Sequence, residues 1–320
     1  EAGPPATVAV GVETQLPADD SAQTAGQPAS DSAADAGGKM AASPAEEMGE
    51  DGVKWIFKAG NLINSPPAVV DGVIYFGSAD SHLYAVDVQT GQERWQFDTA
   101  SAAVSSPIVA GDAVFFGGGN KNVYALDRHT GQEIWRFETD HDIISAPAVA
   151  GEFLYFGTGG GYLYALDRQT GQEVWKFETG DFTATRPAAA DGVVYVGTGW
   201  GTGSTFGMYS GRPAIRDAPD NYLYALDSQA GQELWHFQAG GRFETSPAVS
   251  GRIVYTGNND GHLYAIDAQT GQELWRFETT GPVTSSPAVV DGAVYFGSDD
   301  EYLYALDGQT GQELWRFKTG

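Results

Sequence analysis

Four short apolar segments separated by turn residues make up the last 40 residues of the chain. The dipeptide Asp291-Gly292 stands between two apolar runs, and residues 313–318 alternate Trp and Phe with Arg and Lys. Asp-Gly in such a place is typical of a tight β-hairpin. Strict alternation is typical of a strand with one buried and one solvated face. The pattern predicts four antiparallel strands, at 286–290, 293–297, 302–307 and 313–318.

This pattern recurs six times along the chain. The units run 61–100, 101–140, 141–180, 181–240, 241–280 and 281–320, and only the fourth is longer, by 20 residues. Four antiparallel strands in a repeat of about 40 residues are typical of β-propeller blades. The sequence therefore predicts an all-β fold, a β-propeller of six four-stranded antiparallel blades. One tryptophan stands at the same place in every unit: Trp95, Trp135, Trp175, Trp235, Trp275 and Trp315.

The tryptophans end a recurring motif, Ala-x-Asp-x-x-Thr-Gly-x-x-x-Trp. It is complete at 85–95, 125–135, 165–175, 265–275 and 305–315, and at 225–235 only Ala230 departs from it. The motif resembles the tryptophan-docking motif of PQQ-type (quinoprotein-type) β-propellers, and the resemblance covers residues 61–320. It implies that each tryptophan stacks between the Ala of its own motif and the Gly of a neighbouring motif. In character the chain is most similar to the non-catalytic, BamB-like members.

A seventh tryptophan strand precedes the first complete unit. Residues 53–58 contain Trp55 and Phe57 in the same spacing as Trp315 and Phe317. This extra outer-type strand has no matching set of three inner strands. It either competes for the place of the last blade's outer strand or pairs with another molecule, and a ring of seven blades is the alternative to six.

The first 50 residues have a different composition. They carry nine acidic residues and one basic residue, with no Trp, Tyr, Phe or Ile. Such a segment cannot bury enough apolar surface to offset the entropy of ordering it. Residues 1–50 are therefore predicted to be a disordered acidic tether rich in Ala, Ser, Pro and Gly, ahead of a propeller at 51–320.

Charge and composition exclude several classes of protein. The net charge of −25 argues against binding nucleic acid, because phosphates attract Lys and Arg. The chain has no cysteine, which excludes disulfides and thiolate metal sites. No apolar run reaches the roughly 18 residues of a membrane helix, so direct membrane insertion within this chain is not expected, and a lipid anchor upstream of residue 1 stays open. The five histidines show no metal-ligand spacing, and neither a metal site nor a catalytic residue is predicted.

The fourth unit breaks the symmetry of the repeat. Arg186 is the only charged residue among the six that precede the inner-strand proline, and residues 199–218 are an insertion. The insertion joins the second and third strands of its unit. This loop and the loops that enter the fourth and fifth units are expected on the same side of the ring. This side is either a recognition site or a loop packed over its own blade, with Arg186 paired to a local acid. The candidate interaction residues are Arg186, Trp200, Phe206, Tyr209, Arg212, Arg216, Arg242 and Phe243.

Three functions follow as hypotheses. The resemblance and the acidic tether favour a non-enzymatic, extracytoplasmic propeller that acts as a protein-interaction scaffold or as a subunit of an envelope complex, with protein partners and no cofactor. The alternative is a small PQQ-dependent quinoprotein dehydrogenase, in which Arg186 would bind the carboxylates of PQQ beside a calcium ion. A second alternative is a sensor propeller that binds a small ligand.

Overall fold

A computed structural model describes residues 53–63, 65–101, 105–180, 183, 185–199 and 221–319. Within these ranges, 24 strands form six separate four-stranded antiparallel sheets. The prediction of an all-β propeller with six blades is confirmed. The predicted tether, residues 1–50, and residues 200–218 of the predicted insertion lie outside the described residues.

Each blade is a meander whose strands are neighbours in sequence order. The first three blades comprise β1 (Ala68–Val70), β2 (Val73–Gly77), β3 (His82–Asp87), β4 (Glu93–Asp98), β5 (Ile108–Ala110), β6 (Ala113–Gly117), β7 (Asn122–Asp127), β8 (Glu133–Glu138), β9 (Ala148–Ala150), β10 (Phe153–Gly157), β11 (Tyr162–Asp167) and β12 (Glu173–Glu178). The last three comprise β13 (Ala188–Ala190), β14 (Val193–Gly197), β15 (Tyr222–Asp227), β16 (Glu233–Gln238), β17 (Ala248–Ser250), β18 (Ile253–Gly257), β19 (His262–Asp267), β20 (Glu273–Glu278), β21 (Ala288–Val290), β22 (Ala293–Ser298), β23 (Tyr302–Asp307) and β24 (Glu313–Lys318).

The Asp-Gly pairs form the turns that their sequence predicts. Between β1 and β2, Asp71 and Gly72 have φ values of 48° and 75°, and Asp291 and Gly292 repeat this with 51° and 79°. Two successive residues with positive φ are the mark of the type I′ hairpin, whose twist matches that of the flanking strands. Glycine suits the second position because it has no Cβ to clash there.

The core lies between blades rather than within them. One cluster joins Tyr75, Leu83 and Trp95 of the first blade to Phe116 and Leu126 of the second. Equivalent clusters join each later pair of neighbours along the chain. Since a single sheet cannot cover both of its own faces, each blade depends on the next for burial.

The inner strands, which are the first strands of the blades, contact one another in order along the chain. β1 contacts β5, and the contacts continue in order through β9, β13 and β17 to β21. Among the described strands, neither β21 nor any other strand of the sixth blade contacts the first blade. The arc of six blades is therefore open between its last and first members. No helix in the described part of the chain is long and apolar enough to cross a membrane.

Candidate functional site

Each docking tryptophan fastens its blade to the next one, as Trp135 shows. Trp135 lies opposite Ala125 across the β7–β8 pair. Its indole Nε1 donates a hydrogen bond to the carbonyl oxygen of Arg168 at 3.1 Å. Its ring covers Gly171, where an added Cβ would come within 2.6 Å of a ring atom. Only glycine leaves room for the ring in this docking turn, the turn between the third and fourth strands of a blade.

The same bond is made at four further junctions between blades. The indoles of Trp95, Trp175, Trp235 and Trp275 donate to the carbonyl oxygens of Arg128, Ser228, Ala268 and Gly308 respectively. Together with the bond of Trp135, the same indole-to-carbonyl hydrogen bond therefore links the blades at five successive junctions.

Segment 53–58 uses this design on the first blade. Trp55 Nε1 donates to the Val88 carbonyl oxygen at 3.0 Å, and a Cβ on Gly91 would come within 2.6 Å of the Trp55 ring. The Phe57 ring centroid lies 5.6 Å from that of Phe76. Residues 53–58 form no assigned strand, yet their side chains occupy the place of a preceding blade's outer strand. Trp55, and not Trp315, therefore fills the docking turn of the first blade.

The sixth blade has the same residues without a neighbour. Trp315 is 44% exposed, whereas Trp135 is 9% exposed. Leu303 is 37% exposed, although its equivalent in the third blade, Leu163, is fully buried. Phe317 is 62% exposed. We call the surface formed by Tyr295, Leu303, Trp315 and Phe317 the tryptophan face of the sixth blade.

An aspartate holds each docking turn in shape. The Asp87 carboxylate accepts hydrogen bonds from the backbone N–H groups of Gln89 and Thr90 and from the Thr90 hydroxyl, at 2.9, 3.0 and 3.1 Å. Together with the hydrogen bond from the Arg94 guanidinium, which is the largest cause, these bonds lower the pKa of Asp87 to about 2. In the fourth blade the hydroxyl is missing because Ala230 replaces the threonine, and only backbone N–H groups bind Asp227.

A second aspartate ties the end of a blade to the loop that enters it. Asp80 accepts hydrogen bonds from the Gly60 N–H at 2.7 Å and from the Tyr84 hydroxyl at 2.8 Å. Asp260 and Asp300 repeat the bond to tyrosine, and burial together with the Asp300 carboxylate raises the pKa of Tyr304 to about 12. Each of these aspartates stands four residues before its tyrosine partner, Tyr84, Tyr264 or Tyr304, and this recurrence is the sequence signal for the role.

The two loops that flank the insertion meet at the end of β14. Thr185 Oγ1 donates to the Gly197 carbonyl oxygen at 3.1 Å. On the other side, the Phe243 N–H donates to the Thr198 carbonyl oxygen at 3.1 Å. The structure thus brings the loop of Arg186 and the loop of Arg242 to the point where the insertion begins.

Arg186 places a positive charge where the loops that enter the third, fourth and fifth blades meet. Its side chain is accessible, and its Nε donates to the Pro147 carbonyl oxygen at 3.2 Å. Its backbone N–H donates to Ser246 Oγ at 3.0 Å, and the Ser246 N–H donates in turn to Ser286 Oγ at 2.9 Å. Partial desolvation lowers the pKa of Arg186, although an arginine remains a cation at neutral pH. Within the described ranges no carboxylate forms an ion pair with it.

The structure describes two of the remaining candidate interaction residues, Phe243 and Arg242. Phe243 is fully buried in the core between the fourth and fifth blades, so its side chain offers no surface to a partner. Loop sequence alone did not reveal this, because burial of an entry loop depends on its contact with the neighbouring blade. Arg242 lies beside Gly199, where an added Cβ would come within 2.7 Å of the Arg242 Cβ. Trp200, Phe206, Tyr209, Arg212 and Arg216 lie outside the described residues.

The residues that precede the inner-strand prolines do not suit a quinone–calcium pair. Calcium requires several carboxylate, amide or carbonyl oxygens that converge on one point. The residues that precede the inner-strand prolines supply a guanidinium and three serine hydroxyls instead. In the described part of the chain, no three His, Cys, Asp or Glu residues are grouped so that they could hold a metal ion.

Comparison with known proteins adds a family and a fold. The family model described as outer membrane protein assembly factor BamB matches residues 36–136, 119–214 and 219–320. The crystal structure of BamB from Moraxella catarrhalis superposes with a TM-score of 0.65 at 22% identity, over 82% of this chain and 76% of that one. The computationally designed Ika8 protein superposes with a TM-score of 0.52 at 22% identity, over 82% and 88%. No curated protein matches the sequence.

Proposed function

Because this chain belongs to the PQQ-type propeller family whose model is described as outer membrane protein assembly factor BamB, we propose that it is a non-enzymatic, extracytoplasmic propeller. It serves as a protein-interaction scaffold or as a subunit of an envelope complex. The family supports the compartment and the kind of partner. Residues 1–50, which are acidic in sequence, serve in this proposal as a tether to the envelope.

The observation that carries the proposal is the accessible charge of Arg186. A guanidinium with no acidic partner among the described residues keeps its capacity for bidentate contact with a carboxylate. Arg186 lies on the side of the arc where the two loops that flank the insertion meet. The whole chain has 42 acidic and 17 basic residues. A partner that presents an acidic side chain or a chain terminus here would find one of the few cationic points of an acidic protein.

In the proposal, the insertion in the fourth blade enlarges the interaction surface around Arg186. Residues 198–221 connect β14 to β15, and their sequence supplies Trp200, Phe206 and Tyr209 for apolar contact. Arg212 and Arg216 add two further cations. Aromatic residues and arginine are the side chains that contribute most often to binding energy at protein interfaces.

Cross-linking in an envelope fraction, followed by a binding measurement with the purified partner, tests this function. We expect Arg186→Ala to weaken the affinity at least about tenfold, since loss of a charged contact at an interface is typically that large. Arg252→Ala is the matched control, because Arg252 is an exposed arginine on the turn between β17 and β18, at the other end of the blades. Equal affinity for the native chain and Arg186→Ala would remove Arg186 from the interface.

The enzymatic alternative has its own measurement. The protein is incubated with PQQ and calcium, the absorption spectrum is recorded, and dye-linked oxidation of alcohols is assayed. We expect neither a bound quinone nor turnover, because the residues before the inner-strand prolines supply hydroxyls and one guanidinium rather than converging calcium ligands. Turnover that depends on PQQ would overturn the non-enzymatic assignment.

A further inference from the structure

The arc of blades carries one half of a repeated junction at each end. Five times along the chain, a tryptophan face docks onto the docking turn of the next blade. Among the residues that the structure describes, no complete blade lies in front of the docking turn of the first blade, at 88–91. In the same ranges no docking turn lies behind the tryptophan face of the sixth blade. The two ends therefore complement each other in the same way as the surfaces inside the molecule.

The tryptophan face of the sixth blade is formed and accessible. Tyr295 and Trp315 keep a ring-centroid distance of 5.9 Å, close to the 5.8 Å between Tyr155 and Trp175 in the third blade. The face thus has the internal geometry of a docked blade. It nevertheless leaves Trp315 44% and Phe317 62% exposed. A contiguous exposed apolar surface of this kind marks a site of association.

The docking turn of the first blade shows what it accepts. Segment 53–58 reaches it with Trp55 and Phe57, and Lys54, Ile56 and Lys58 point to solvent. The sixth blade carries the same order of residues, with Trp315, Phe317 and Lys318 in the places of Trp55, Phe57 and Lys58. The segment therefore acts as a short internal substitute for the outer strand of a blade.

We propose that the tryptophan face of the sixth blade docks onto the first blade of a second copy of this chain, where it displaces segment 53–58. In the complex, the Trp315 indole of one copy donates to the Val88 carbonyl oxygen of the other and covers its Gly91. The contact joins two different surfaces, so it is head-to-tail and produces rings or open chains of copies. The inference is independent of Arg186 and of the proposed envelope function.

Two features hold the native chain back from association. Segment 53–58 is linked to the first blade by a few residues, which gives it an effective concentration on the order of millimolar at the docking turn. Each copy also carries a net charge of −25, and like charges repel most strongly at low ionic strength. The native chain is consequently monomeric at micromolar concentration, and salt favours association.

Sedimentation velocity on three variants tests the proposal. In Trp55→Ala/Phe57→Ala, the docking turn is open, and we expect the mean mass to rise at least twofold between about 1 and about 100 µM, below the effective concentration of the native segment. Adding Trp315→Ala/Phe317→Ala to that variant should restore the monomer. Lys54→Ala/Lys58→Ala changes the same segment on its solvent side and should remain monomeric. A monomer in all variants overturns the proposal.

If the open variant, Trp55→Ala/Phe57→Ala, is monomeric, its sixth blade is either docked within its own chain or not docked at all. Quenching of tryptophan fluorescence by acrylamide distinguishes these two cases. If Trp315 is shielded in a monomer, the sixth blade has closed onto the first blade of its own chain, and the second copy is excluded. If Trp315 stays accessible, the face does not dock at all. Either result overturns the proposal.

Far-UV circular dichroism shows whether Trp55→Ala/Phe57→Ala folds. If it does not fold, the proposal is tested with the native chain instead. The native chain at about 1 mM, near the effective concentration of its own segment, should show species heavier than the monomer in 0.5 M salt that Trp315→Ala/Phe317→Ala lacks. Identical masses for these two proteins would overturn the proposal without use of the open variant.

Discussion

Trp135 and Trp315 have the same place in their repeats and opposite surroundings. Trp135 is 9% exposed and spans the junction of the second and third blades, whereas Trp315 is 44% exposed at the end of the arc. Both lie opposite a motif alanine in their own blade. The comparison shows that the motif builds only half of a junction. Burial of the tryptophan comes from the next docking turn, not from the blade that carries it.

The largest expected effect is the loss of a docked tryptophan. Trp135→Ala removes a buried ring and its hydrogen bond, and should lower the free energy of unfolding by about 3–5 kcal/mol. Trp315→Ala removes a ring that already faces solvent, and should cost less than about 1 kcal/mol. Urea unfolding followed by circular dichroism compares them. Equal losses would mean that the two sites are not different in the way the structure shows.

The docking turn itself can be tested with two glycines. Gly171 and Gly151 have φ values of 71° and 58°, so Ala is strained by about 1–2 kcal/mol at either position. A Cβ on Gly171 also meets the Trp135 ring, while nothing lies within 4 Å of one on Gly151. Gly171→Ala should therefore destabilise the protein by about 2 kcal/mol more than Gly151→Ala. Equal unfolding midpoints would show that the ring moves aside freely.

Acid should loosen the docking turns of the first and sixth blades alike, although one is docked and the other is open. The folded pKa of Asp87 is about 2, below the unfolded value of about 4, and the pKa of Asp307 in the sixth blade is lowered too, chiefly by the Thr310 hydroxyl. Stability from such a group is complete above the unfolded pKa and is lost as the pH falls toward the folded pKa.

Unfolding in urea at pH 7, 5 and 3 checks this. We expect little change between pH 7 and about 5 and a decline from there to about 3. Asp87→Asn keeps an acceptor oxygen but cannot ionise, so it should reduce the decline. An unchanged pH profile in that variant would remove the Asp87 turn as a source of acid sensitivity.

The smallest expected effect concerns the one docking turn with an incomplete motif. Ala230→Thr supplies the hydroxyl that bonds to aspartate in the other turns, at 2.8 Å for Thr130 and Asp127. A gain of about 0.5–1 kcal/mol in the free energy of unfolding is expected, the usual net value of one hydrogen bond. The reverse change, Thr170→Ala, should lose a similar amount. A loss with Ala230→Thr would show that the fourth turn differs in shape.

The sequence predicted the repeat well because each blade repeats its local signals. The Asp-Gly turns, the strand alternation and the six docking motifs all placed strands correctly, and 302–307 and 313–318 match β23 and β24. The inner strand was predicted too long, at 286–290 instead of Ala288–Val290. Ser286 and Pro287 belong to the entry loop, since proline cannot donate a hydrogen bond to a strand ladder.

The ends of the arc and the candidate site were harder to predict from sequence. Trp55 and Trp315 are alike in sequence, and only the three-dimensional path of the chain decides which one fills the first docking turn. Arg186 was recognisable because it alone breaks the pattern of its position. Phe243 was not recognisable as buried, because the β14 end that receives it lies in another repeat.

The docking arrangement also bears on how such a chain can change over evolutionary time. Every blade offers a tryptophan face on one side and a docking turn on the other, so the series has a fixed direction. A duplicated unit inserted between two existing ones already matches both neighbours. Gain or loss of a unit therefore requires no compensating substitution at any internal junction. A change in the number of blades alters only the relative position of the first and last blades.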